Sequence, residues 1–207
     1  MAMARHLGRL VPSSSVLFVC DLQEVFRTRI HEMPTVLHGT HSLISAAREL
    51  EVPVVVTTQN AKRLGPTVPE LATLLQDTPH TVEFDKTRFS MLTGDVDHHL
   101  KQLPSAKSVI LCGIEAHVCV LQTCLDLLER GYDVHVVSDA VSSSSAFNRS
   151  MALERMRQSG AFVTSVESSI FQLTGDAAHP KFRAISKLIK EHLSVPNAFD
   201  SHGVGRL

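Results

Sequence analysis

The chain has 207 residues, enough for one domain with a substantial core, and 43% of them are hydrophobic against 20% charged. A formal charge of −1 gives no electrostatic basis for a nucleic-acid partner, and no apolar run is long enough to cross a bilayer. Four cysteines, Cys20, Cys112, Cys119 and Cys124, form neither a C-x-x-C pair nor a zinc-type spacing, which points to reduced thiols rather than a disulfide framework.

Residues 1–15 carry Arg5, His6 and Arg9, no acid, and a run of serines, and they read as a flexible N-terminal arm or an organelle transit peptide. The folded domain is expected over residues 16–192. Val16-Leu-Phe-Val-Cys20 is a short continuous apolar run, as for a strand covered on both faces. Met33 to Leu50 follows with helical spacing and Pro34 near its start. Pro53-Val-Val-Val-Thr57 is the second strand, and residues 59–68 read as a loop punctuated by Gly65-Pro66. Pro69 to Gln76 is a short helix, Thr81 to Phe84 a weaker strand, and Thr93 to Leu103 a helix that stops before Pro104.

Ser108-Val-Ile-Leu-Cys112 is the strand that leads into Gly113-Ile-Glu-Ala-His-Val-Cys119-Val. A helix follows with Val118, Leu121, Leu125 and Leu128 on one stripe and Gly131 as its C-cap. Cys119 is therefore expected just inside a helix start, where amide N–H groups and the helix dipole favour a thiolate. Asp133 to Ser138 is a strand, Ser145 to Ser159 a helix, Ala161 to Thr164 the last strand, and Glu167 to Leu173 a short helix. Lys181 to His192 closes the domain, and residues 193–207 read as a tail ending in Gly205-Arg206-Leu207, a loose relative of the peroxisomal address. The expected location is intracellular: cytoplasm first, with mitochondrion or a peroxisome-type organelle as alternatives.

Six strands alternating with helices predict an α/β fold, a three-layer α/β/α Rossmann-like sandwich around a mainly parallel sheet. In such folds the site gathers at the carboxyl ends of the strands. Asp21 stands at the end of the first strand, Gln59 after the second, Lys86 after the third and Cys119 beyond the fourth. Asp139, at the end of the fifth, reads as a structural cap for the serines that follow.

Asp21 with Gln23 and Phe26, the Lys86-Thr-Arg-Phe-Ser90 segment, and Gly113 to Val120 together resemble the isochorismatase-like cysteine hydrolases. The match runs from about Val16 to His192. Leu64 to Leu71 and Met156 to Ala161 look especially like the eukaryotic isochorismatase domain-containing proteins. The resemblance implies a triad in which Asp21 takes the thiol proton, Lys86 holds the charges and Cys119 attacks a carbonyl. It also implies an oxyanion site at the backbone N–H groups of Glu115 and Cys119, and a cis peptide at Ile114–Glu115. Gln59, Phe26, Phe89 and His117 are the expected pocket residues, with Phe84 a further candidate wall.

Nicotinamidases of that superfamily carry an Asp and histidines after the second strand that bind a metal. Here the place reads Thr57-Thr-Gln-Asn-Ala-Lys62, so neither metal nor other cofactor is expected. True isochorismatases cleave a vinyl ether without needing the cysteine, so Cys119 turns the expectation towards a small amide-like C–N substrate. The family also implies a homo-oligomer. Two other classes stay open: a non-catalytic scaffold or regulator that retains the fold, and an RNA-associated protein or nuclease, which the neutral charge disfavours.

Overall fold

A computed structural model describes residues 7–200. The strands β1 (Ser15–Cys20), β2 (Val54–Gln59), β3 (Thr81–Lys86), β4 (Ser108–Gly113), β5 (Asp133–Val141) and β6 (Phe162–Thr164) form one sheet in the order β3-β2-β1-β4-β5-β6. Every neighbouring pair is parallel. The sequence predicts this α/β sandwich, and its cause is visible in β1, β2 and β4, whose continuous apolar runs are buried on both faces.

Side-chain alternation divides the core. Leu17, Val19, Val54, Val56 and Ile110 face one cluster, and Val16, Phe18, Val55, Val109 and Leu111 face the other. The first cluster is covered by α1 (Met33–Glu49), α3 (Pro69–Gln76), α7 (Val166–Thr174) and α8 (Phe182–Leu193). The second is covered by α4 (Gly94–Lys101), α5 (Leu121–Glu129) and α6 (Ala146–Gln158). No helix among the described residues is long and apolar enough to cross a membrane.

Four expectations are corrected. The stretch 59–68 is not all loop: Gln59 is the last residue of β2, and α2 (Ala61–Leu64) is a helical turn. The Asp85 carboxylate, 24 residues on, accepts the Ala61 N–H at 2.7 Å and so helps to start that turn. The α5 stripe lies one step round from Val118, Leu121, Leu125 and Leu128, which are only partly buried. Val120, Thr123, Cys124 and Leu127 are the fully buried positions. Thr123 is tolerated there because its hydroxyl donates to the Cys119 carbonyl at 2.6 Å and accepts the Met91 N–H at 2.9 Å.

Cys119 itself lies in a π-helical turn, Ala116–Val120, which precedes the regular helix. Such wide turns recur at functional sites. Finally, β5 runs on to Val141, so Asp139 is inside the strand. Its carboxylate accepts the Val166 N–H at 2.8 Å and caps α7, not the serine loop.

The described chain ends pack on this body. Gly8 sits against the Phe162 ring where a Cβ would not fit, and Leu10 joins the first core cluster. Phe199 is 9% exposed, with the Arg149 guanidinium 3.6 Å above its ring. The Gly205-Arg206-Leu207 tripeptide lies outside the described residues.

One buried group gives a pH dependence. His135 on β5 stacks on Phe162 with ring centroids 5.0 Å apart, and its Nε2 has no hydrogen-bond partner. Burial pushes its pKa down to about 4, against an opposing effect of the Asp133 charge. The unfolded histidine titrates near ~6.5 and so binds a proton that the folded one refuses. The stability that this group contributes is present above that value and is lost as pH falls towards the folded pKa. At ~1.36 kcal/mol per pH unit, the loss is about 2–3 kcal/mol. Urea titrations at pH 7 and pH 4.5 should show this, and His135→Leu should shrink the difference by that amount. An unchanged difference would remove His135 as the cause.

Candidate functional site

β1, β2, β3 and β4 deliver the site residues to one rim because parallel strands end on the same side. Asp21 follows β1 directly in a left-handed conformation, φ 52°. Its N–H donates to the Thr57 carbonyl at 3.0 Å. The Thr57 hydroxyl donates to Asp21 Oδ1 at 2.7 Å, and Lys86 Nζ donates to Asp21 Oδ2 at 2.7 Å. Both charges are buried, so the pair must be well hydrogen-bonded to persist.

Lys86 is the last residue of β3 and pairs in register with Gln59 of β2. Its ammonium also donates to Gln59 Oε1 at 2.7 Å and to the carbonyls of Phe89 at 2.9 Å and Arg88 at 3.2 Å. An ammonium has three N–H groups and here meets four acceptors. Lys86 therefore has no donor left for a ligand, and it positions its neighbours. Burial disfavours its charge, but Cys20, Asp21 and Cys119 outweigh that and hold its pKa above the usual lysine value.

Cys119 is 7% exposed, and its thiol and that of Cys20 interact electrostatically. It interacts electrostatically with Lys86. Around it, backbone donors are already committed. The N–H of Ala116 goes to the Ser142 carbonyl at 2.7 Å, that of His117 to Ser143 Oγ at 3.3 Å, and those of Val118 and Val120 to the Glu115 carbonyl. The Ile114–Glu115 peptide is cis. Gly113 before it has φ 112°, and a Cβ there would run into the Cys20 carbonyl, so only glycine lets β4 approach β1 this closely.

The other expected residues divide. Gln59 is in the site, but both ends of its amide are used, by Lys86 and by the Thr87 carbonyl at 2.8 Å. Phe89 contributes its carbonyl, while the residue is 51% exposed at the rim. His117, in the same turn as Cys119, has Nδ1 3.0 Å from Ser143 Oγ and 3.8 Å from Glu115 Oε2. Glu115 Oε2 in turn accepts the Ser144 N–H at 2.8 Å. Phe26 packs half-buried against the α1-side cluster, and Phe84 against the α5-side cluster.

Three supporting residues were not assigned roles from sequence. Thr57 orients Asp21. Gln23, fully buried, receives the Gln59 N–H at 2.8 Å and donates to the carbonyls of Gln59 and Gly65, tying the strand end to the following loop. Thr123 braces the Cys119 carbonyl. For Thr57 and Gln23 the signal in sequence is faint, a polar residue at or just past the end of an apolar strand, and Thr123 is a polar residue on the buried face of α5. Away from the site, His38 stacks on His192 with ring centroids 4.9 Å apart. Among the described residues no group of three or more His, Cys, Asp or Glu is placed to hold a metal ion.

A family model described as "Isochorismatase domain" matches residues 15–168. The chain belongs to the isochorismatase family. It is a hydrolase-family fold whose relatives extend over nearly the whole chain. A Phytophthora sojae protein named "Secreted isochorismatase effector Isc1" is 65% identical over 198 residues, covering 95% of this chain and 94% of that one. The human "Isochorismatase domain-containing protein 2" is 52% identical over 192 residues, covering 92% and 91%. The solved structure titled "Structure of MAR1 Ribonuclease from Caenorhabditis elegans" is 47% identical with TM-score 0.87, covering 96% and 98%.

The Phytophthora relative overturns the intracellular expectation, because a protein this similar is named as secreted. Four unpaired thiols do not determine a compartment: they can persist wherever they are buried, as all four are here.

Proposed function

We propose that this isochorismatase-family protein is a metal-independent cysteine hydrolase that cleaves a small amide-like C–N substrate through Asp21, Lys86 and Cys119. The buried Asp21–Lys86 pair, held on both carboxylate oxygens and set in the field of Cys119, carries this reading. Asp21 takes the Cys119 proton as the sulfur attacks the carbonyl carbon. The oxyanion is met by the N–H groups of Glu115 and Cys119, as the family resemblance implies, while those of Ala116, His117, Val118 and Val120 are engaged elsewhere. The proton passes from Asp21 to the leaving amine, and a thioester remains on Cys119. Water, activated by Asp21, then releases the acid and restores the thiol. Lys86 holds the Asp21 carboxylate in place and steadies the sulfur's charge without touching substrate. The segment Thr57–Lys62 offers neither Asp nor His as a metal ligand.

The partners in this reading are a small molecule and further copies of the chain. Phe147 and Met151, exposed one turn apart on α6, offer two apolar side chains to a homo-oligomer contact.

Small primary amides, assayed for ammonia release and quenched in acid for peptide mass mapping, test the mechanism. An acyl adduct on Cys119 is expected. Turnover with no adduct there, or with an adduct on another residue, would overturn the covalent scheme. The name of the Caenorhabditis relative favours ribonuclease activity as a second reading. The charge of −1 gives no field to gather a polyanion. Cleavage of single-stranded RNA that survives Cys119→Ala would replace the first reading with the second.

A further inference from the structure

Cys20 is the last residue of β1 and immediately precedes Asp21, yet the hydrolytic scheme gives it no role. Strand register brings it to Cys119. Cys20 pairs with Gly113 at the end of β4, and the Ile114 N–H donates to the Cys20 carbonyl at 2.9 Å. From there the chain turns at once into the Ala116–Val120 turn that carries Cys119. Both side chains enter the same α5-side core cluster, and the two thiols lie within each other's electrostatic reach. Cys119 keeps a residual 7% exposure, whereas Cys20 has none. The Lys86 ammonium acts on both sulfurs.

The other two cysteines lack this arrangement. Cys112 faces the opposite layer and donates to the Phe18 carbonyl at 3.4 Å. Cys124 is buried in the same cluster as Cys20, but it sits within α5 beyond the turn and not at a strand end beside Asp21.

We propose that Cys20 is a resolving thiol for Cys119, so that a hydroperoxide closes the site reversibly as a Cys20–Cys119 disulfide. The Cys119 thiolate attacks one peroxide oxygen, the O–O bond breaks, and the leaving alkoxide or hydroxide is protonated to an alcohol or water. Cys119 is now a sulfenic acid. Cys20 gives its proton to Asp21 and attacks that sulfur. The S–O bond breaks, and the departing hydroxide takes the proton back from Asp21 and leaves as water. In sum, two thiols and one hydroperoxide give a disulfide, water and an alcohol or second water. The sulfurs are oxidised and the peroxide reduced, and a thiol reductant reverses the change. The disulfide takes the nucleophile out of use and keeps Cys119 from irreversible oxidation to sulfinic acid. The proposal shares the reactive Cys119 with the hydrolase reading but needs no hydrolysis.

The full chain is treated with a small excess of hydrogen peroxide, alkylated under denaturing conditions, digested without reductant and mapped by mass spectrometry. A peptide linking Cys20 to Cys119 is expected, lost on dithiothreitol treatment, with Cys112 and Cys124 alkylated. Cys20→Ala should instead accumulate a dimedone-reactive sulfenic acid and then sulfinic acid at Cys119. The idea is overturned if wild-type Cys119 proceeds to sulfinic acid while Cys20 stays alkylatable, if it pairs with Cys124, or if it resists peroxide altogether. The wild-type map decides even where Cys20→Ala fails to fold. A disulfide in a protein that hydrolyses no amide would sink the hydrolase reading alone, and amide turnover without the disulfide would sink this one alone.

Discussion

Cys119→Ser should reduce hydrolysis of any small amide that the wild type turns over by about 10³-fold or more in kcat/KM. That factor corresponds to about 4 kcal/mol of transition-state stabilisation. The two side chains differ little in volume, and the brace from Thr123 reaches the residue's carbonyl rather than its side chain, so the fold should survive. What changes is the nucleophile. A serine hydroxyl holds its proton far more tightly than a thiol, and the proposed base, Asp21, is a carboxylate already engaged by Lys86 and Thr57. Thermal unfolding within a few degrees of wild type, measured on the same samples, separates lost chemistry from lost structure. A variant that keeps activity within tenfold would remove Cys119 from the mechanism.

Lys86→Met should lower the unfolding free energy by about 3–5 kcal/mol, the range for breaking a buried ion pair from one side. Methionine fills much of the same space. It leaves Asp21 as a buried carboxylate without its counter-charge, and Gln59 Oε1 and the carbonyls of Phe89 and Arg88 without a donor. Asp21→Asn combined with Lys86→Met should recover part of the loss, because the stranded charge is then gone. Urea unfolding at pH 7 measures both. The folded pKa of Lys86 is raised, so its contribution is fully present below the unfolded lysine value near ~10.4 and is lost only as pH rises through the folded value. Physiological pH should therefore leave it untouched. A loss below about 1 kcal/mol for Lys86→Met would mean that the pair is not the anchor described here.

The elements read best from sequence were those whose burial is total. The apolar runs of β1, β2 and β4 have one stable placement, in the middle of a parallel sheet, and that placement carries Asp21, Gln59 and Cys119 to one rim. Elements with mixed burial were read less well. β3 is a half-exposed edge strand that continues through Asp85 to Lys86, beyond its apolar residues. β5 continues through Asp139, whose carboxylate is satisfied by a helix 27 residues away. α5 buries Thr123 and Cys124 while leaving leucines partly exposed, because hydrogen bonds to Met91 and Cys119 satisfy the threonine. The location expectation failed for another reason: unpaired cysteines report on burial as much as on compartment.

Order along the chain and hydrophobic period were enough for the α/β class, the parallel sheet and the rim on which the chemistry-bearing residues stand, since these follow from local burial and chain connectivity. The contacts that give those residues their roles belong to the folded molecule. Lys86 meets four acceptors drawn from three segments, Gln23 and Thr57 lock the strand ends, and Cys20 comes against Cys119 across a glycine. Each pairing joins positions that are mostly tens of residues apart, and none has a period or spacing. They exist because strand register and the absent Cβ at Gly113 bring backbones together, and that closeness is a property of packing.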